Sequence, residues 1–217
     1  MKPFFVLISL FSFVSCNQAK YVAQEKDKNS TQTKKSFTMN NNIETTTLGG
    51  GCYWCLEAIF QQLQGVESVA SGFSGGAVEN PTYKEVCTGL TGHAEVIQVT
   101  YDTSKITFAE LLKVFFTMHD PTTLNRQGND VGTQYRSAIF YHNEQQKQVA
   151  EDIIQKLNEE HVYDSPIVTQ VVPFQKFYKA EDYHQNYYNN NSNQGYCRLV
   201  IQPKLEKFEK IFKDKMK

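Results

Sequence analysis

The sequence lacks a surplus of charge of either sign, and it lacks an apolar run long enough to cross a bilayer. Its 22 basic and 23 acidic residues give a formal net charge of −1, and no basic stripe is present, which argues against a nucleic-acid partner. The apolar run at residues 4–14 is shorter than the about 20 residues that a membrane-spanning helix needs. No internal repeat is present either, so the chain reads as one globular domain with an N-terminal extension.

The first 46 residues differ in composition from the rest of the chain. Residues 1–15 combine Lys2 with the apolar run and match a secretory signal peptide. Ser15 followed by Cys16 resembles the lipobox of bacterial lipoproteins, which predicts a lipid on Cys16; an ordinary cleaved signal with an incidental cysteine is the alternative. Residues 16–46 are rich in Lys, Asn, Gln, Ser and Thr, which predicts a disordered, lipid-anchored tether. We therefore expect an exported protein that is held to a bacterial membrane only through lipid, facing the periplasm or the exterior.

Residues 47–217 contain alternating strand and helix patterns. Period-two patterns predict strands at 66–73, 95–101, 137–141 and 167–174. Helical spacing of apolar residues predicts helices at 107–118, from Asn143 onward, at 180–188 and at 203–217. The mixed order predicts the α/β (α+β) class, as a two-layer α/β sandwich with a mixed, largely antiparallel sheet and a ferredoxin-like core. The last helix is expected to dock on the domain, with a membrane-surface role as the alternative.

The chemically most informative stretch is residues 48–60. Three glycines precede Cys52, and apolar residues at helical spacing follow it. This pattern predicts that Cys52 lies at a helix N-terminus. There, free backbone N–H groups and the helix dipole favour a thiolate and lower a cysteine pKa to roughly 3.5–7.5. A buried structural cysteine is the alternative interpretation.

Further polar residues cluster in predicted loops, and together with the stretch around Cys52 they form six sequence segments. The matching segments are 50–54, 80–83, 91–95, 127–130, 132–137 and 180–185. In this order and spacing they resemble the A-type peptide-methionine sulfoxide reductases, over roughly residues 46–203. Two positions depart from the family pattern: Tyr53 stands where Phe is usual, which makes the pocket slightly more polar, and Cys55 stands where many members have Gly.

The resemblance implies reduction of the S epimer of methionine sulfoxide, free or in proteins, to methionine. Cys52 would attack the sulfoxide sulfur as a nucleophile. Glu95 would protonate the departing oxygen, because a carboxyl group in an aromatic pocket keeps its proton near neutral pH. Tyr83 and Tyr135 would donate hydrogen bonds to that oxygen as its negative charge develops.

The remaining matched residues would shape the pocket. By the same resemblance, Tyr53 and Trp54 would form an apolar wall for the S-methyl group, and Asp130 would order a water molecule. Arg136 and His184 are expected to be scaffold residues.

Recycling of the enzyme requires a second thiol, which converts the Cys52 sulfenic acid to a disulfide. Cys55 lies one helical turn away, and Cys197 follows an asparagine-rich stretch in a Gly-Tyr-Cys context that resolves the sulfenic acid in the family. We favour Cys197, with a relay through Cys55 and Cys197 as the alternative. Cys87 is predicted to be buried and inert. No cofactor and no metal are expected, and an external thioredoxin-like thiol would supply the electrons to a monomeric enzyme that repairs oxidised proteins.

Three other functions use parts of the same pattern. A thioredoxin-like disulfide exchanger would also use Cys52 and Cys55, but it would not need Glu95, Asp130 or the tyrosines. A zinc module would combine the two cysteines with two of His93, His119, His142 and His184. These histidines lack the close second pair that is typical of structural zinc sites. A non-catalytic surface lipoprotein would explain the tether but not the loop residues.

Overall fold

The structure is a computed structural model that describes residues 42–217. The predicted signal peptide at 1–15, the lipidation site Cys16 and the part of the tether before residue 42 lie outside the described residues. Within residues 42–217, none of the helices has the length and hydropathy required to cross a membrane.

A six-stranded sheet forms the centre of the fold, in the order β7-β6-β1-β3-β2-β8. Four of its pairings are antiparallel and the β6–β7 pairing is parallel. Two further short strands, β4 and β5, form a separate hairpin. The strands are β1 Ile43–Gly50, β2 Val66–Ser74, β3 Ala94–Asp102, β4 Arg126–Gln127, β5 Asp130–Val131, β6 Ser137–Tyr141, β7 Gln170–Pro173 and β8 Phe177–Lys179.

Six α-helices and several tighter turns connect the strands within residues 42–217. The α-helices are α1 Tyr53–Phe60, α2 Tyr83–Cys87, α3 Phe108–Met118, α4 Glu144–Glu159, α5 Tyr187–Asn191 and α6 Gln202–Phe212. Three of them begin at side-chain caps that the sequence supplies: Thr82 and Thr107 form capping boxes with a glutamate three residues on, and Asn143 caps α4. The predicted α/β class, with its mixed and largely antiparallel sheet, is confirmed.

The main core lies between the sheet and helices α1, α3 and α6. It contains fully buried side chains from all of these elements, including Leu48, Ile59, Phe60, Ile97, Val99, Leu112, Phe115, Ile139 and Phe208. A smaller apolar cluster around Val96 and Phe140 covers another part of the sheet. This packing fixes the end of β1, the start of α1 and the start of β3 relative to one another.

The folded region begins four residues before the predicted start at 47, since β1 begins at Ile43. After Ile43 the first residues of this strand are polar, and their strand structure comes from pairing with β3, where Thr45 lies opposite Thr100. The Tyr101 hydroxyl also donates a 2.9 Å hydrogen bond to Glu44. Such pairing leaves little trace in the hydrophobic pattern.

The single helix predicted at 180–188 is wrong. The segment contains a 3-10 turn at Asp182–His184 and a separate helix α5 that starts at Tyr187. Asn186 adopts a left-handed conformation, with φ of 51°, and this conformation ends the first turn. The predicted C-terminal helix is confirmed as α6, which buries Leu205, Phe208 and Phe212 against the domain.

Candidate active site

Cys52 lies in the tight turn between β1 and α1. Gly51 has a φ of +92°, and a Cβ atom at that position would lie 2.5 Å from Gln127 Cγ, so the turn requires glycine. Helix α1 begins at Tyr53, with Cys52 as its N-cap. The predicted position of Cys52 at a helix N-terminus is confirmed, but its side chain is only 8% exposed.

Glu95, near the start of β3, lies directly below this turn. Its Oε2 accepts a 3.1 Å hydrogen bond from the backbone N–H of Tyr53, the first residue of α1. The side chain is 1% exposed. Burial raises the pKa of Glu95 to about 8, although the Tyr53 hydrogen bond opposes this rise. At neutral pH the carboxyl group therefore carries a proton that it can donate beside Cys52.

Cys52 and Cys55 form one interacting pair of thiols. Burial raises the pKa of Cys52, and the hydrogen bond with Cys55 raises it further. The same hydrogen bond lowers the pKa of Cys55 to about 7. The predicted lowering of the Cys52 pKa by the helix N-terminus is thus wrong, because the loss of water around the sulfur outweighs the helix dipole. Within this pair, the hydrogen bond favours ionisation of Cys55 over ionisation of Cys52.

Tyr83 and Tyr135 reach the same region from two different elements. Tyr83 opens helix α2, and Tyr135 ends a 3-10 turn at Thr133–Tyr135. Both rings are half-buried. Burial raises the pKa of each hydroxyl, and the nearby Glu95 carboxyl raises it further. The two hydroxyls therefore stay protonated and remain hydrogen-bond donors throughout the physiological range.

Cys87 lies at the end of α2, close to Tyr83. The prediction that Cys87 is buried is wrong, because the residue is exposed. Its sulfur interacts with the Tyr83 hydroxyl, and this hydrogen bond opposes the rise that partial desolvation causes in the Cys87 pKa. The five residues of α2 leave the end of the helix at the surface, whereas the sequence shows only the apolar neighbour Val86.

The aromatic wall is formed by Tyr53 and Trp54. Tyr53 is 1% exposed, and its ring lies 5.8 Å from that of Phe73. The Trp54 indole stacks on Tyr187, with ring centroids 3.6 Å apart and planes 6° from parallel. His184 packs against both residues at 5.5 to 5.6 Å, which agrees with its predicted scaffold role.

Asp130 is joined to the site through a residue that was not singled out from the sequence. The Tyr196 hydroxyl donates a 2.8 Å hydrogen bond to Asp130 Oδ2 and lies 4.0 Å from Cys55 Sγ. The only sequence signal for Tyr196 was its position next to Cys197. Cys197 is fully buried and opens a π-helix at Cys197–Ile201, a rare local structure that is frequent at functional sites.

Arg136 connects the loops around the site. Its guanidinium donates to the backbone oxygens of Thr133 and Gly92, and its Nε donates to Gln170 Oε1. These contacts support the predicted scaffold role.

The four histidines of the zinc hypothesis lie in different environments. The imidazole of His93 bonds to Val78, that of His119 to Ser137 and that of His142 to Thr47. His184 packs against Tyr53 and Trp54 of α1. Across residues 42–217, no group of three or more His, Cys, Asp or Glu side chains is placed to hold a metal ion.

Glu57 is a second residue that sequence analysis missed. It is 1% exposed on α1 and accepts hydrogen bonds from the backbone N–H groups of Asn186 at 2.9 Å and Tyr187 at 3.2 Å. Its carboxyl group therefore fixes the start of α5, the helix that places Tyr187 on Trp54. The sequence signal that could have identified Glu57 was an acidic residue within the apolar face of a predicted helix.

Replacement of Glu57 with alanine is expected to lower the free energy of unfolding by about 2–4 kcal/mol, because two partly buried N–H groups lose their acceptor. Glu57→Gln keeps one acceptor oxygen and should lose about half as much. Urea unfolding measures both effects, and limited proteolysis should show new cleavage near residue 186 in the alanine variant. Equal stability of the wild type and Glu57→Ala would contradict this role.

The site brings a pair of interacting thiols, a protonated carboxyl group and two hydroxyl donors to one side of an aromatic wall. These groups can attack an electrophilic sulfur, protonate the oxygen it loses and close a disulfide from the second thiol. The fold and the site thus define a thiol-dependent oxidoreductase that uses its own cysteines.

Comparison with known proteins narrows this class. A family model described as peptide methionine sulfoxide reductase matches residues 44–216. The chain is 56% identical over 175 residues to a peptide methionine sulfoxide reductase MsrA of Saccharolobus solfataricus, covering 81% of this chain and 98% of that protein. It is 59% identical over 173 residues to the MsrA of Sulfolobus acidocaldarius, covering 80% and 97%.

Comparison with solved structures identifies the same family as comparison of sequences. Methionine sulfoxide reductase A of Corynebacterium diphtheriae aligns with a TM-score of 0.65 and 41% identity, covering 73% of this chain and 79% of that one. Reduced Mxr1 of Saccharomyces cerevisiae aligns with a TM-score of 0.67 and 35% identity, covering 72% and 90%. The chain belongs to the peptide methionine sulfoxide reductase family, and its reaction is the reduction of methionine sulfoxide to methionine.

Proposed function

We propose that this chain reduces the S epimer of methionine sulfoxide with Cys52 as the nucleophile and Glu95 as the acid. The observation that supports these roles best is the buried Glu95 carboxyl, which lies on the first N–H of α1, next to Cys52, and whose pKa of about 8 keeps it protonated. Tyr83 and Tyr135 orient the sulfoxide oxygen from the other side of the pocket.

The first step balances with these groups. The Cys52 sulfur attacks the sulfoxide sulfur while Glu95 donates its proton to the sulfoxide oxygen. The resulting hydroxyl group passes to the Cys52 sulfur as the sulfur–oxygen bond of the substrate breaks. The bond between the two sulfurs breaks as well, and methionine leaves with the electron pair of that bond. Cys52 becomes a sulfenic acid, and the proton lost from the Cys52 thiol restores the carboxyl group of Glu95.

Disulfide formation then begins at Cys55. Its thiol hydrogen-bonds to Cys52, and the Cys55 pKa of about 7 makes it the better nucleophile of the remaining thiols. The Cys55 thiolate attacks the Cys52 sulfur and forms the disulfide, while the sulfur–oxygen bond of Cys52 breaks and the oxygen leaves as water with a proton from Glu95. Cys197 is fully buried and close enough to Cys55 to interact with its charge. Its sulfur attacks Cys55, which forms a Cys55–Cys197 disulfide and releases the Cys52 thiol. This sequence of steps is the relay through Cys55 and Cys197, instead of direct attack of Cys197 on Cys52.

The final electrons come from an external dithiol reductant of the thioredoxin type. We also propose that the protein acts as an exported, lipid-anchored monomer on oxidised proteins, on the basis of residues 1–15, Cys16 and the polar tether. Labelling with a fatty acid that is lost in Cys16→Ser would test the anchor.

The function is tested by supplying the two separated epimers of a methionine sulfoxide peptide to the full chain with excess dithiothreitol. We expect methionine to form from the S epimer only, with one enzyme disulfide per turnover when the dithiothreitol is omitted. Reduction of the R epimer at an equal rate would refute the proposed stereochemistry. Reduction of neither epimer would favour the thioredoxin-like disulfide exchanger.

A further inference from the structure

The Tyr196 hydroxyl has two neighbours that compete for its one proton. It donates to Asp130 Oδ2 at 2.8 Å, and the Cys55 sulfur lies 4.0 Å away. The Tyr196 ring stands edge-on to Trp54, with centroids 5.9 Å apart, so the position of the ring is fixed. A cavity of about 260 Å³ lined by Asp130, Tyr196 and Lys204 adjoins it, and the hydroxyl hydrogen can rotate about the C–O bond from one neighbour to the other.

We propose that Tyr196 is a further active-site residue, whose hydroxyl turns from Asp130 to sulfur and stabilises the thiolate of the Cys52–Cys55 pair. In the neutral pair, the Cys55 thiol donates to the Tyr196 oxygen while Tyr196 donates to Asp130. When Cys55 loses its proton it can only accept, so the hydroxyl rotates about its C–O bond and donates to the sulfur. A hydrogen bond to an ionised acceptor is shorter and about twice as strong as a neutral one, which favours the new partner.

The other charged and titratable groups around the pair do not supply this hydrogen bond. Tyr53, Tyr135 and Tyr187 interact with Cys52 through charge alone, and among the described residues no hydrogen bond joins their hydroxyls to either sulfur. Glu95 and Asp130 are carboxyl groups, which disfavour a nearby thiolate when ionised. Lys204 on α6 favours the Cys55 thiolate through its charge, but no hydrogen bond joins it to either sulfur among the described contacts. Cys197 is another thiol. Tyr196 is the hydroxyl that interacts with both sulfurs and lowers the pKa of each.

Tyr196 itself keeps its proton. Burial raises its pKa, and the nearby sulfurs raise it further. The residue is therefore a donor to the thiolate at every pH at which the enzyme works, and it does not transfer the proton. Its place next to Cys197 in the chain means that movement of the π-helix during disulfide exchange would also withdraw the donor.

This inference rests on the proposed function for its catalytic meaning, but its test does not require methionine sulfoxide. The full-length reduced chain is alkylated with iodoacetamide between pH 5 and 10, and the modification of Cys55 is located by fragment-ion mass spectrometry. In the wild type we expect the rate to rise with a midpoint near pH 7, the pKa of Cys55. In Tyr196→Phe we expect the midpoint about one pH unit higher, which corresponds to roughly a 10-fold slower reaction below pH 7.

The plateau rate at high pH should be the same in both proteins, because Tyr196→Phe retains the ring on Trp54 and removes only the donor. Tyr188→Phe is the matched control, since Tyr188 lies on α5 of the same segment, packs partly buried against the core and lies outside the site. It should leave the midpoint unchanged. An unchanged midpoint in Tyr196→Phe would overturn the proposal.

A change of the plateau alone would also overturn it, because Tyr196 would then shield the sulfurs instead of stabilising their charge. Methionine formation at pH 6.5 by the same variants provides the catalytic readout. A wild type that shows the alkylation midpoint but no methionine formation would refute the proposed function and leave the role of Tyr196 intact.

Discussion

Replacement of Cys52 with serine should abolish the reduction of methionine sulfoxide, with a loss of rate on the order of 10⁶, as expected for removal of a covalent nucleophile. A serine hydroxyl is far less nucleophilic than a thiol and cannot accept the oxygen as a sulfenic acid. The assay is methionine released per enzyme in a single turnover with the S epimer. The result would place the oxygen transfer on Cys52.

Cys55→Ser and Cys197→Ser provide the contrast for this experiment. Both variants should release one equivalent of methionine at about the wild-type rate. Regeneration of the reduced enzyme should then be slow. In Cys55→Ser the Cys52 sulfenic acid should persist long enough to be trapped by dimedone, whereas in Cys197→Ser a Cys52–Cys55 disulfide should accumulate. If Cys52→Ser released methionine while Cys55→Ser did not, the roles of the two cysteines would be reversed.

Glu95→Gln should slow the first reduction step by roughly 10²- to 10⁴-fold, because the sulfoxide oxygen loses its proton donor. Glutamine has nearly the same shape and retains an oxygen that can accept the 3.1 Å hydrogen bond from Tyr53, so the turn at Cys52 should be preserved. Single-turnover methionine release by the two proteins measures the effect.

The pH dependence provides a second test of Glu95. The protonated carboxyl group is the active form, and its pKa is about 8, so the wild-type rate should fall as the pH rises above 8. Single-turnover methionine release is the rate to follow, because ionisation of Cys55 affects only the later disulfide step. Glu95→Gln should lose the fall at high pH. A fall near pH 8 that persists in the variant would assign the acid to another residue.

Local pattern was sufficient for the helices that carry their own caps. Thr107 and Asn143 precede apolar residues at helical spacing, and the helices start where these side chains satisfy the first N–H groups. The same holds for the start of α1, because the positive φ of Gly51 turns the chain directly before the helix.

Local pattern failed where long-range contacts decide the structure. The segment 180–188 has helical spacing, but Glu57 binds the N–H groups of Asn186 and Tyr187 from a helix about 130 positions away and divides it in two. The start of β1 at Ile43 depends on pairing with β3. Neither contact can be read from the residues near the element it determines.

The sequence by itself determined the class of fold and the membership of the reductase family, and it predicted Cys52 as the nucleophile, since these depend on residue types at short spacings. Only the tertiary structure decided the protonation of the thiol pair. Proximity to a helix end favours a thiolate on Cys52, but the burial of its sulfur under neighbouring elements removes the water that would solvate the charge. The tertiary structure also placed Tyr196 next to Cys55, a residue 141 positions earlier in the chain. Burial of a sulfur and contacts between residues so far apart in sequence arise only when the whole domain packs.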